Sequence, residues 1–457
     1  MCYNPGLDYG RAQYPVTFFL GPLAPSMFLS RPVWKILLGL LAASAAACGG
    51  PTASPPQATV PPGITPAPTI EPTPTETVVT LSLWLPESLA SISGEGARVF
   101  ETQLADFGAR HPDAVVSVSP KKDRGPGGLL DLLRTASPVA PAALPDVILL
   151  GDADLAIAAR EGLIQPLDTL LDLETEAGLF AFARNAARID GKRMGMPLAA
   201  DLDHLIFVPD RLAAPPADWT DLISGTLPFP FAFADGPNVS DFVLADYALL
   251  GGTTINAEGQ PALTLDALTR LLTLYRDARA ADVIAAEGLD WADPDAAWIA
   301  FRASDASLTV ARASRYLAAR AEGIALDFAR VPSIDGRPAP PAGRSWSLAV
   351  VTRDPRRQAL VAELIAHLSQ SENAATWTQA EHVLPANASA LTRWNLAGDY
   401  TAFARSELNR AVPPPSPAAL EAVSPAFLTA IRDVLAGRAT PQAAAATAVE
   451  TVRRGEQ

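Results

Sequence analysis

The chain has 457 residues, 49% of them hydrophobic, and a formal charge of −14 at pH 7. That acidity argues against nucleic acid or anionic lipid as a partner, because such surfaces select basic patches, and the single cluster Lys121-Lys122-Asp123-Arg124 is too short to reverse it. The four histidines, His111, His204, His367 and His382, are widely spaced and match no metal motif, so no metal or cofactor is expected.

Residues 1–26 carry Pro5, Pro15, Pro22 and Pro25 and resemble no targeting segment, which makes Met27 the expected start. From there Arg31 and Lys35 precede the apolar run Ile36–Ala43, and Ser44-Ala45-Ala46-Ala47 follows: the layout of a signal peptide over 27–47. The run is too short to span a bilayer, which takes about 20 apolar residues. Cys48, before Gly49-Gly50, resembles the lipid-attachment cysteine of bacterial lipoproteins, with Ala45 standing where those proteins usually place Leu. Ordinary signal-peptidase cleavage after the alanines is the alternative, giving a periplasmic or secreted protein instead of one on the outer face of the cytoplasmic membrane. The other cysteine is Cys2, so the folded part has no internal disulfide and relies on a buried core, for which roughly 380 residues suffice.

Residues 48–78 are rich in Pro, Thr, Ser and Ala and read as a tether. Its prolines favour polyproline II at ~3.1 Å per residue. Folded structure is expected from Val78-Val79-Thr80-Leu81-Ser82-Leu83-Trp84, a buried strand. A helix over Glu95–Arg110 stops at His111-Pro112. A strand over Ala114–Val118, a helix over Leu129–Ala136 and a strand over Asp146–Leu150 complete a β-α-β-α-β run, the pattern of a mostly parallel sheet. Further on, strands are expected at Leu205–Val208 and Ala306–Val310, with helices at Leu265–Ala280, capped by Thr264, and Arg357–Ser369. No nucleophile elbow, Walker loop or dinucleotide fingerprint interrupts them. Gly125-Pro126-Gly127-Gly128 reads as a connection.

Several landmarks occur in a meaningful order: an exported Cys48, a strand ending in Trp84, a helix closing on Phe107-Gly108-Ala109-Arg110-His111-Pro112, then Leu144-Pro145-Asp146-Val147-Ile148. Glu161-Gly162-Leu163-Ile164-Gln165-Pro166-Leu167-Asp168, Asp190-Gly191-Lys192-Arg193-Met194-Gly195-Met196-Pro197, Trp377 and Leu384-Pro385 continue the series. In this the chain resembles the family 1 extracellular solute-binding proteins of bacterial ABC importers, over about residues 79–400. The resemblance implies an α/β, two-lobe periplasmic-binding-protein-like fold of class II type with a ligand cleft between the lobes. It implies one lobe from 79–198 plus about 350–390, and another from about 199–349 plus 391–457. It further implies a small polar solute, above all a carbohydrate, passed to an ABC permease, with no catalysis.

Candidate cleft residues follow. Trp84 ends the first strand, where an indole stacks on a sugar face or else caps the core, and Glu87 lies on the next loop. Asp152 follows the third strand, where it accepts from sugar hydroxyls or caps the next helix; capping is the expected role of Asp154. Asp201 lies on a segment that crosses between lobes in similar proteins and is the foremost candidate. With Asp203 it also invites a glycosidase reading, yet i and i+2 on a strand share a face whatever their role. Asn238 sits on a turn, and Trp346 on the second crossing segment. After Leu308-Thr309-Val310, carbohydrate binders commonly carry a Gly-x-Trp loop, whereas this chain has Arg312, Arg315 and Tyr316. Tyr316 is the substitute stacking ring, and the arginines open the alternative of an anionic solute. A surface glycoside hydrolase and a sensory or adhesive lipoprotein remain the competing functions.

Overall fold

The structure, a computed structural model, describes residues 78–90, 94–172, 176–334, 336–396 and 398–455. The signal segment, Cys48 and the proline-rich tether lie outside the described residues.

The strands are β1 (Val79–Pro86), β2 (Ala114–Lys121), β3 (Val147–Gly151), β4 (Arg188–Ile189), β5 (Lys192–Arg193), β6 (Met196–Phe207), β7 (Ala234–Asp235), β8 (Asn238–Val239), β9 (Leu308–Arg312), β10 (Asp327–Ala329), β11 (Gly343–Val350) and β12 (Leu384–Pro385). Apolar alternation places Leu81, Leu83 and Leu85 of β1 in one core. β3 is buried on both faces: Val147 and Leu149 enter that core, Ile148 and Leu150 a smaller cluster behind the sheet. The helices Glu95–Arg110 and Leu129–Ala136 fall where the apolar spacing predicts them.

The main sheet runs β10-β6-β11-β3-β1-β2, with β9 and β12 also paired to β6. β1 is parallel to β2 and β3, as the opening β-α-β-α-β run requires. The remaining pairs in this sheet are antiparallel, which corrects the expectation of a mostly parallel sheet: β11 returns between β3 and β6, and β9, β10 and β12 each run against β6. The strand expected at Leu205–Val208 is only the end of the longer β6, whose Pro197, Asp201 and Asp203 disguise its length.

β6 joins two cores. Met196, Leu198 and Leu202 pack in the first with Phe107, Phe182 and Trp377. Leu205 and Phe207 pack in the second with Trp219, Phe229, Phe231, Tyr275 and Phe427. The helix Leu265–Ala280 lies in this second core, covered by the helices Pro417–Leu435 and Pro441–Gly455. Thr264 occupies the cap position of Leu265–Ala280, yet its hydroxyl accepts from the Thr253 backbone N–H and makes no cap bond.

Candidate functional site

The ends of strands from both cores converge on a cavity of about 440 Å³. One wall comes from the parallel strands. Asp123 and Arg124 follow β2, while Asp152 and Asp154 open the helix Asp152–Arg160 directly after β3. Opposite them, Arg312 ends β9, and Ser314 and Arg315 start the helix Ala313–Ala321. Asp201 of β6 and Arg344, Ser345 and Trp346 of β11 complete the lining between the walls, bordered by Glu381 and His382. This lies beyond the carboxyl ends of the parallel strands, where open α/β sheets bind ligands.

Two serine–aspartate pairs knit the lining together. Asp152 accepts from the Ser345 N–H at 2.7 Å and from its hydroxyl at 2.5 Å. Burial pushes the Asp152 carboxyl up to about 6, against the lowering effect of those bonds. Neither Asp152 nor Asp154 caps its own helix, which has no side-chain cap bond, so the capping role expected of Asp154 is not taken up. Asp201, 2% exposed, accepts from the Ser314 hydroxyl at 2.6 Å, from the Ser314 N–H at 3.2 Å and from the Leu202 N–H at 2.9 Å. Burial nevertheless raises its carboxyl above the ordinary value.

Beneath the surface lies an ion-pair network. Arg344 donates to Asp241 at 2.5 Å and to Asp235 at 2.7 Å, and Arg312 donates to Asp235 at 3.0 Å. Burial opposes ionisation of Asp235, yet Arg344, Arg312 and Arg124 together hold its carboxyl below the usual range. Burial likewise opposes the charge of Arg344, and Asp241 and Asp235 more than restore it. Asp203 shares this neighbourhood; burial, then the charge of Asp241, pushes its carboxyl up to about 7. Arg315 forms a two-point pair with Asp295 at 2.8 and 2.6 Å.

The cavity therefore brings together Asp152, Asp201, Arg312, Arg315 and Trp346. Trp84, Glu87, Asp203, Asn238 and Tyr316 do not line it. The Trp84 ring packs against the cluster behind the sheet, with the Lys121 ammonium 5.3 Å from its centre. Glu87 is exposed on a short turn, and Asn238 belongs to the β7–β8 hairpin. Tyr316, expected as a stacking ring, is 4% exposed, edge-on to His204 at 5.5 Å and inclined 30° to Tyr400 at 4.6 Å. It borders a different cavity of about 500 Å³, with Trp394 and Tyr400.

Sequence reasoning missed Asp123, Arg124, Asp295, Ser314, Arg344 and Ser345 in the lining and Asp235 and Asp241 beneath it. One signal was available: Arg344 stands two residues from Trp346 on one strand and so shares its face. Ser345 and Ser314 meet their aspartates across 193 and 113 residues, which no local pattern reveals.

No curated protein matches the sequence. Among solved structures, T. maritima MalE3 with bound maltose matches at a TM-score of 0.67 and 16% identity, over 82% of this chain and 99% of that one. The GacH receptor of Streptomyces glaucescens GLA.O, known unliganded and with acarbose, matches at 0.63 and 18%, over 82% and 97%. A Thermus thermophilus maltotriose-binding protein with maltotriose matches at 0.63 and 16%, over 82% and 100%. The fold is thus the two-lobe α/β fold of these binding proteins. Residues 103–403 match the family model described as bacterial extracellular solute-binding protein, and the chain belongs to that family.

Proposed function

We propose that this protein captures a carbohydrate in the cavity between its lobes and, held to the membrane by a lipid on Cys48, hands it to an ABC permease. One observation carries the choice of solute. Arg312, Arg315 and Arg344 are each paired with a carboxylate, while Asp152 and Asp201 line the same cavity with Trp346. Arginines so engaged are poorly placed to clamp an anionic solute. Carboxylates beside an indole suit sugar hydroxyls and the apolar face of a pyranose ring. The structural neighbours bind maltose, acarbose and maltotriose, which fits this reading.

Thermal unfolding in the presence of maltodextrins, other neutral sugars, sugar acids, polyols and oligopeptides tests it. A ligand that binds only the folded state at a hundredfold excess over its Kd stabilises by about 2.7 kcal/mol, a shift of several degrees. A neutral sugar is expected to give that shift and to be recovered intact after long incubation, and Trp346→Ala to abolish the shift while leaving a cooperative transition. A shift produced only by sugar acids or peptides, or release of monosaccharide from the sugar, contradicts the proposal.

A further inference from the structure

Beside the cavity proposed for the sugar lies the second one of about 500 Å³, bordered by Tyr316, Arg320, Gln379, Trp394 and Tyr400. Both fall within the size range of ligand pockets, about 300–1,000 Å³. The helix Ala313–Ala321 walls both of them: Ser314, Arg315 and Ala318 line the first, and Tyr316, Leu317 and Arg320 the second. The end of the helix Ser371–Ala380 does the same. His382, in the turn that closes this helix, is the one residue among those described that lines both cavities.

The backbone of that turn suits a glycine. The Val383 N–H donates to the Thr378 carbonyl at 3.0 Å and the His382 N–H to the Gln379 carbonyl at 3.2 Å. This pair of bonds ends helices whose next residue is left-handed, a position that glycine usually fills. His382 holds φ at 56° there. The other described non-glycine residues with a positive φ, Asp190, Thr226 and Asp282, border neither cavity. A side chain in this region is kept at a cost, and such residues gather at functional sites. The neighbouring Glu381 is packed against the helix Glu95–Arg110, its carboxylate filling the space where a Cβ on Gly96 would stand. The half-buried His382 ring has no hydrogen-bond or ion-pair partner among the described residues.

An imidazole kept where glycine folds more easily, unpartnered and on the border of two cavities, serves something other than the fold. Each of its two nitrogens meets a hydroxyl, one on either side. We infer that His382 is a further ligand-binding residue, holding an oligosaccharide where it passes from the first cavity into the second. One ring lies beside Asp201 and Trp346, and the next beside Gln379. The Gln379 side-chain oxygen accepts from the Asn395 N–H at 3.2 Å, which leaves its amide NH₂ for that second ring. This rests on the carbohydrate reading above and sets a minimum of two rings.

Titration calorimetry of the intact protein with glucose, mannose and xylose, each set against its linear oligomers of two to four rings, tests the inference. The oligomer that binds is expected to do so at least tenfold tighter than its own monomer. His382→Gly is expected to weaken that oligomer about five- to tenfold, the worth of one neutral hydrogen bond, and to change monomer binding less than twofold. The same variant is expected to melt no lower than the wild type, because glycine adopts this backbone freely. His382→Asn, which also tolerates a positive φ and keeps a polar side chain, is expected to lose less affinity. Equal affinity for monomer and oligomer, or an oligomer affinity untouched by His382→Gly, overturns the inference and leaves the carbohydrate reading standing. A His382→Gly melting temperature that falls by several degrees along with the affinity overturns it too, since His382 then serves the fold. Failure of every sugar, monomer or oligomer, overturns both.

Discussion

At the scale of single residues, the cost of burying a charge explains more than local sequence does. Asp246 is 1% exposed in the second core, with the Tyr275 hydroxyl donating to one oxygen at 3.1 Å. The Trp219 indole N–H lies close to its carboxyl without completing a bond. Burial pushes Asp246 up to about 8, whereas in the unfolded chain it ionises near the ordinary value of about 3.9. The folded state therefore holds the proton that the unfolded state loses between those values. Its contribution to stability is full below about pH 4 and declines as pH rises to about 8. Asp246→Asn is expected to remove that decline and to stabilise the protein at pH 8.5 by on the order of 2 kcal/mol. Denaturant unfolding at pH 5 and pH 8.5 checks this; an equal loss at both values contradicts it.

Among elements, β11 ties the site together, because Arg344, Ser345 and Trp346 bring an ion-pair anchor, a carboxylate clamp and an indole into one segment. Removing Arg344 strands Asp235 and Asp241, whose side chains are 12% and 7% exposed, without their main cation. Breaking a buried pair from one side typically costs about 3–5 kcal/mol. Since Arg344 is itself 21% exposed, Arg344→Ala is expected at the lower end, near 3 kcal/mol. The loss should narrow as pH falls, because Asp235, held low against burial chiefly by Arg344, takes up a proton more readily without it. Thermal melts at pH 7 and pH 4.5 measure both effects, and a loss that does not change with pH rules out this origin. The same strand shows what sequence can and cannot convey. Apolar spacing exposes the helices Glu95–Arg110 and Leu265–Ala280 because each needs only one buried face. β6 and β11 escape such a reading, since they are buried on both sides and carry Asp201, Asp203 and Arg344 where a strand pattern expects apolar residues. Their pairing partners lie more than a hundred residues away.

For the whole molecule, the order of landmarks in the sequence conveyed the two-lobe fold, although the antiparallel half of the main sheet did not follow from it. The lining of the candidate cavity was legible only in part. Asp201 and Trp346, expected from their crossing segments, line it, while Tyr316, expected from comparison with a stacking loop, packs against His204 and Tyr400 outside it. Its burial is a tertiary property that a loop comparison cannot supply. The proposed membrane attachment makes a separate prediction. Cys48→Ala is expected to move the exported protein from the membrane fraction to the soluble one, and mass spectrometry of the wild type to show a lipid on the N-terminal cysteine. An unmodified N-terminus in the wild type contradicts the anchor without touching the cleft.

Whether the cavity between the lobes holds a carbohydrate is decided by a crystal structure of the protein with the sugar that most raises its melting temperature. The sugar is expected between Asp152, Asp201 and Trp346, in contact with both lobes. A sugar found instead beside Tyr316 and Trp394, or in contact with one lobe only, would contradict it.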